Sequence, residues 1–163
     1  MNKLLTFELE KDLDSINILF NECGSGIIVQ QFRKAQETRL IQNLNICSSV
    51  NSGLSSIGQC QDCLFIKHVK IIPMSNHGHS DDLLLTFEFN KENNIIEIYV
   101  NDIGASKMIE FISGTLELKD HLHMMTKDWG GKELSNIRFN ESNELVNLVT
   151  IVYLENKDII HKR

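Results

Sequence analysis

LLTFELEKDLDSINILFNECG (residues 4–24) and LLTFEFNKENNIIEIYVNDIG (residues 84–104) are two versions of one segment set eighty residues apart. Ten of the 21 aligned positions are identical: Leu4/Leu84, Leu5/Leu85, Thr6/Thr86, Phe7/Phe87, Glu8/Glu88, Lys11/Lys91, Ile16/Ile96, Ile18/Ile98, Asn21/Asn101 and Gly24/Gly104. Such self-similarity at a fixed spacing outranks any local motif in deciding the architecture. Within each copy Leu5, Phe7 and Leu9 alternate with Thr6, Glu8 and Glu10, and Ile16, Ile18 and Phe20 keep the same period (Ile96, Ile98 and Val100 in the second copy). Period-two alternation predicts strands with one buried face, as in antiparallel sheets. The KDLD and KENN links suit tight turns.

After Gly24 and Gly104 the period lengthens. Ile28, Phe32 and Ala35, and likewise Met108, Ile112 and Leu116, recur every three or four residues, which predicts a helix with one apolar stripe. Ser25 and Ala105–Ser106 stand where each helix is expected to begin. Residues 40–46 and 120–125 read as a third strand, and residues 63–73 and 144–154 as a fourth. The expected fold is α+β: two tandem β-β-α-β-β units related by a pseudo-twofold, each an antiparallel sheet with one helix on its apolar face. Residues 1–80 form the first repeat and 81–163 the second, packed as one unit like a covalent homodimer. Phe7, Ile18, Phe32, Phe87, Ile98, Met108 and Ile112 are the expected core.

The polar run Ser75-Asn76-His77-Gly78-His79-Ser80-Asp81-Asp82 falls where one copy stops and the next begins. Its His-x-His-x-Asp spacing resembles a metallo-β-lactamase metal motif, but Asp82 stands where that motif needs a histidine. The stretch reads as the joint between repeats, with residues 74–82 as the connection. Cys60-Gln61-Asp62-Cys63 is a lone C-x-x-C, and with no secretion signal the four cysteines are expected to be reduced thiols. No metal site, cofactor or catalytic group is expected, and paired carboxylates such as Glu8/Glu10 and Glu88/Glu92 read as solvated. The chain reads as a non-enzyme. The alternative is a small metal-dependent enzyme using the His77/His79 and His121/His123 pairs.

The chain of 163 residues carries a net charge of −6. Residues 1–80 hold seven acidic and seven basic side chains, so the excess lies wholly in the second half, with fifteen acidic and nine basic. That balance argues against nucleic acid as a ligand and suits a basic protein partner. No apolar run is long enough for a membrane helix, and the acidic turn of the N-terminus argues against export, so a cytoplasmic location is expected.

One block belongs to the second copy alone. His121 and His123 alternate outward on a strand, and Trp129, the single tryptophan, precedes Gly130-Gly131 and then Glu133-Leu134. A glycine pair beside a large rigid aromatic suits a fixed protrusion or a plug under a loop. This block resembles the immunity protein 32 family of bacterial polymorphic-toxin systems, short α+β proteins with a His-x-His strand followed by Trp-Gly-Gly. The resemblance covers residues 84–154, and the first half departs from it, with Asn51-Ser52 in place of Trp-Gly and no histidine pair. It implies a protein that binds and neutralises a cognate toxin domain in the producing or sibling cell. A basic toxin, such as a nuclease, is an inference from charge alone. The expected partner surface comprises Glu88, Glu97, Tyr99, His121 and His123 on one outward sheet face, extended by Asp128, Trp129 and Glu133. The chain itself is expected to be a monomer, an internal pseudo-dimer, or a weak homo-oligomer.

Overall fold

A computed structural model describes residues 3–48, 63–75 and 82–155. In the first half β1 (Leu4–Leu9) and β2 (Ser15–Phe20) precede α1 (Glu22–Thr38), then β3 (Gln42–Asn45), β4 (Cys47–Ser48), β5 (Leu64–Ile66) and β6 (His68–Pro73). The second half has β7 (Leu85–Asn90), β8 (Ile95–Val100), α2 (Asp102–Leu118), β9 (His121–Met125), β10 (Glu144–Leu145) and β11 (Leu148–Tyr153). The fold is α+β, with two helices and two mixed sheets.

Each alternating segment closes as an antiparallel hairpin, with Phe7 opposite Ile18 and Phe87 opposite Ile98. The helices begin a turn earlier than expected, because the cap is an asparagine placed before the apolar stripe. Asn21 Oδ1 accepts from Gly24 N at 2.9 Å, and also from Leu4 N at 3.1 Å. Asn101 Oδ1 does the same with Gly104 N at 2.8 Å and Leu84 N at 3.1 Å. One side chain thus starts a helix and ties it to the first strand of its hairpin. The glycines complete the joint. A Cβ on Gly24 would lie 1.7 Å from Leu4 O, and one on Gly104 1.8 Å from Leu84 O. Only glycine lets the helix approach the strand so closely, and this explains the Asn-x-x-Gly identity in both copies.

Sheet pairing departs from the expected architecture in two ways. The sheets are not purely antiparallel: β2 pairs parallel with β11, and β6 pairs parallel with β8. Nor does each half own a sheet. One sheet runs β4-β1-β2-β11-β9, with β5 also on β1, and the other runs β10-β7-β8-β6-β3. Every hairpin is therefore extended by the last strands of the other half. The strands expected over 63–73 and 144–154 each break and change sheets. Thus β5 joins β1 while β6 joins β8, and β10 joins β7 while β11 joins β2.

The spacing of eighty governs these pairings as well. Leu44 faces Val69 and Met124 faces Val149. Glu8 faces Phe65 and Glu88 faces Leu145. Val69 runs beside Ile96, and Val149 beside Ile16. These registers are compatible with the expected pseudo-twofold, in an interleaved form.

Burial follows. Phe7, Ile18, Phe32, Phe87, Ile98, Met108 and Ile112 all have 0% exposure and share one cluster drawing on both sheets and both helices. α1 packs against β3 and β6 of one sheet and β1 and β2 of the other, α2 against β11 and β9 as well as β7 and β8, and the helices also pack on each other. An Arg39–Asp102 pair, two contacts of 2.7 Å, ties the end of α1 to the start of α2. Within the joint expected at 74–82, residues 76–81, and so His77 and His79, lie outside the described residues.

Candidate functional site

The outermost strand of the first sheet, β9, leads into the Trp-Gly-Gly block. His121 and His123 are exposed, and Met124 between the faces is fully buried, as the alternation expects. The imidazoles meet edge to face with centroids 5.0 Å apart. His121 Nδ1 lies 2.8 Å from an Asp120 carboxylate oxygen and His123 Nδ1 lies 3.0 Å from Thr150 Oγ1 on β11. Each ring thus has its own partner, and the described residues contain no group of three side chains able to hold a metal ion.

Past β9 the chain makes one 3-10 turn, Lys127–Trp129, built around Thr126. The Thr126 carbonyl accepts from Trp129 N and Gly131 N, both at 3.0 Å, and its hydroxyl donates to Asn147 Oδ1 at 2.8 Å. Gly130 has φ +89°, a left-handed conformation that favours glycine. A Cβ on Gly131 would fall 2.5 Å from Met125 O, so this second glycine is required by close approach. The Glu133 carboxylate turns back to accept from Lys132 N at 3.0 Å and Met125 N at 3.3 Å. Burial raises its pKa, but these backbone donors outweigh that and hold it below the usual carboxylate value. Leu134 is buried at 4% exposure and plugs the loop into the core. Trp129 keeps 42% of its surface exposed on this overdetermined scaffold, and Asp128 beside it is exposed.

The expected single partner face divides in the structure. Glu88, Glu97 and Tyr99 lie on β7 and β8 of the second sheet, whereas His121 and His123 lie on the first. Because β9 pairs with β11, and β11 with β2, the histidines belong to the hairpin of the other half. Nor is Glu88 on an open surface: its exposure is 0%. The segment before β10 folds over it. The Glu88 carboxylate accepts from Phe139 N, from Asn140 N at 3.4 Å and from Asn143 Nδ2 at 2.9 Å. Asn143 Nδ2 also reaches Glu97 Oε2 at 2.9 Å, so one amide bridges two carboxylates facing each other across the hairpin. Tyr99 donates to Glu97 at 2.7 Å and stacks on Phe139 with centroids 4.7 Å apart. Burial, then the Glu97 hydrogen bond and the charges of Glu97 and Glu88, push the Tyr99 hydroxyl well above its ordinary range. This cluster is a structural clamp that satisfies a buried carboxylate.

At the corresponding place in the first half Glu8 also has 0% exposure, but neither carboxylate oxygen has a hydrogen-bond partner among the described residues. Burial lifts its pKa from 4.5 to about 7; Asn17 across the hairpin, outside hydrogen-bonding geometry, lowers it in part, and the charge of Glu10 raises it further. Glu8 and Glu88 are thus buried, not solvated as expected; at Glu88 the 139–143 segment closes over a face that alternation alone leaves open.

A folded-state pKa above the unfolded one means that Glu8 holds its proton more tightly when folded. Its contribution is complete below about pH 4.5 and lost as the pH rises to about 7. The size corresponds to about 3 kcal/mol across that window. Denaturant titrations should therefore show wild type losing about that much relative to Glu8→Gln between pH 4.5 and 8. Parallel pH profiles for the two proteins would exclude a buried, proton-binding Glu8.

Cys63 is disulfide-bonded, against the expectation of reduced thiols, whereas Cys23 forms no disulfide. Cysteine spacing does not report which sulfurs the fold brings within bonding distance, and here the fold decides it. None of the described helices is long and apolar enough to cross a membrane. No family model, curated protein or solved structure matches the chain.

Proposed function

We propose that this chain is an immunity protein, a non-catalytic module that captures and neutralises a toxin domain through β9 and the loop that follows it. The observation that carries the reading is Trp129, exposed at 42% on a turn whose backbone is hydrogen-bonded at Trp129, Gly130 and Gly131. Fixed, partly exposed aromatics concentrate binding energy because little rotamer entropy is lost when a partner covers them. The residues behind the resemblance to immunity protein 32 proteins fit this role. Gly130, Gly131, Glu133 and Leu134 shape the loop, and His121, His123 and Asp128 are exposed polar residues on the strand and turn that lead to Trp129. The strand itself has an outer edge that no described strand occupies, so its backbone groups add a second mode of recognition. The acidic second half favours a basic toxin by speeding association. Glu88 takes no part in this contact, since the 137–143 segment covers it.

The test starts with co-expression beside the product of the adjacent gene: protection of growth, with a complex recovered from the cells, supports the reading. In that complex Trp129→Ala should cost about 2–4 kcal/mol of affinity, a hot-spot magnitude, while the melting temperature stays within a degree or two of wild type. Undiminished affinity in the alanine variant would move the contact away from this loop.

A further inference from the structure

β9 carries two exposed imidazoles held in the way that metal ligands are held. His121 Nδ1 lies 2.8 Å from the Asp120 carboxylate, and His123 Nδ1 lies 3.0 Å from Thr150 Oγ1. With each Nδ1 proton donated to these oxygens, Nε2 is the bare nitrogen, and such an outer partner is what orients a histidine ligand. The ring separation fits as well. A zinc ion about 2.0–2.1 Å from each Nε2 lies about 3.2 Å from each ring centre. Two centres 5.0 Å apart then subtend about 100° at the ion, near the tetrahedral angle. Asp120 lies on the Nδ1 side of the His121 ring, and the described residues offer no third ligand. One chain therefore supplies half of a four-coordinate site.

The strand edge indicates where the other half comes from. Asp120 O accepts from Tyr153 N and Thr126 N donates to Asn147 O, so the even-numbered residues of this stretch turn their backbone toward β11. The N–H and C=O groups of His121, His123 and Met125 therefore point away from it. At Met125 the following loop takes both: Glu133 Oε2 accepts from its N–H at 3.3 Å, and Leu134 N donates to its oxygen at 3.2 Å. Among the described residues the edge left open is His121 and His123. A second β9, related by a twofold at Leu122, would set His121 opposite His123 of the other copy, with Cα atoms about 5.5 Å apart. All four imidazoles then share one face. Two paired residues are too few to hold an interface by themselves, so an ion is what closes it. We propose that His121 and His123 are half of a zinc site, which a second copy of this chain completes by pairing β9 edge to edge. With four imidazole ligands it is a structural junction with no open position for catalysis. The inference is independent of the toxin-binding reading, although a toxin and a second copy cannot hold this edge at once.

Sedimentation velocity of the full chain, free of any affinity tag and titrated with zinc chloride, tests this. Zinc should convert monomer to dimer at one ion per two chains, beyond any ion that the double variant His121→Ala/His123→Ala retains, and EDTA should reverse it. Each single variant should weaken zinc-dependent dimerisation by more than the roughly 10–100-fold typical of losing an outer partner of a ligand. His68→Ala, exposed on the other sheet, should dimerise as wild type does. A zinc-dependent dimer in the double variant, zinc held at the pair by a monomer, or no zinc-dependent dimer would overturn the proposal. Both histidines are exposed, so the variants should melt like wild type in EDTA. Should they not, nitrogen-15 NMR of wild type decides: zinc should shift the Nε2 signals of His121 and His123 together, and unmoved signals would place the ion elsewhere.

Discussion

Residues 82–163 expressed alone are expected not to fold as a monomer. In the intact chain β8 is completed by β6, and β11 by β2, both from the first half. Without them, two central strands lose a full side of hydrogen bonding and the shared core loses Phe7, Phe20 and Phe32. Closing β11 onto β8 within the fragment is obstructed by its own chain. β10 sits on the far side of β7, and only Val146 and Asn147 connect it to β11. Reaching β8 would mean crossing two strand spacings of about 4.8 Å each and giving up the β10 pairing. Two copies of the fragment can instead satisfy each other by exchanging strands as the two halves do here. Ultracentrifugation should find either an unfolded chain or a homodimer whose stability depends on concentration. A cooperatively melting monomer would show that the interleaved pairing is not obligatory.

Replacing Phe87 by alanine should cost about 3–5 kcal/mol, the range for an aromatic removed from a packed interior. Phe87 has 0% exposure, faces Ile98 across the hairpin and lies in the cluster common to both sheets. For a domain of ordinary stability that is a third or more of the total, about 5–15 kcal/mol. Phe7→Ala, at the corresponding position, should cost about the same. Because one core spans both halves, each variant should shift a single unfolding transition rather than split it. A denaturation midpoint like that of wild type for Phe87→Ala would mean that the strand faces are reversed.

Legibility of the site was uneven, and particular residues show why. Trp129, Gly130 and Gly131 stand out by residue type, and the structure gives each glycine a steric reason. The expected partner face divides between two sheets because it joined residues by their place in one repeat, while β9 with His121 and His123 belongs to the sheet begun by the other repeat.

Local interactions determined what was readable from the chain by itself. Alternation set the strands and the three-to-four spacing set both helices, while the Asn21–Gly24 and Asn101–Gly104 caps that start them a turn before Ser25 and Ala105–Ser106 are equally local. Each of these signals acts within about a dozen residues, so the order of the chain contains it in full. The tertiary structure decided the rest. β6 and β11 have closely similar apolar patterns, and either could extend either hairpin by pattern alone. The choice was made by the breaks at Lys67 and at Val146–Asn147, which send consecutive strands into different sheets. Burial of Glu8 and Glu88 is likewise nonlocal: period two puts them on the outer face, and for Glu88 it is the distant 137–143 segment that closes over that face.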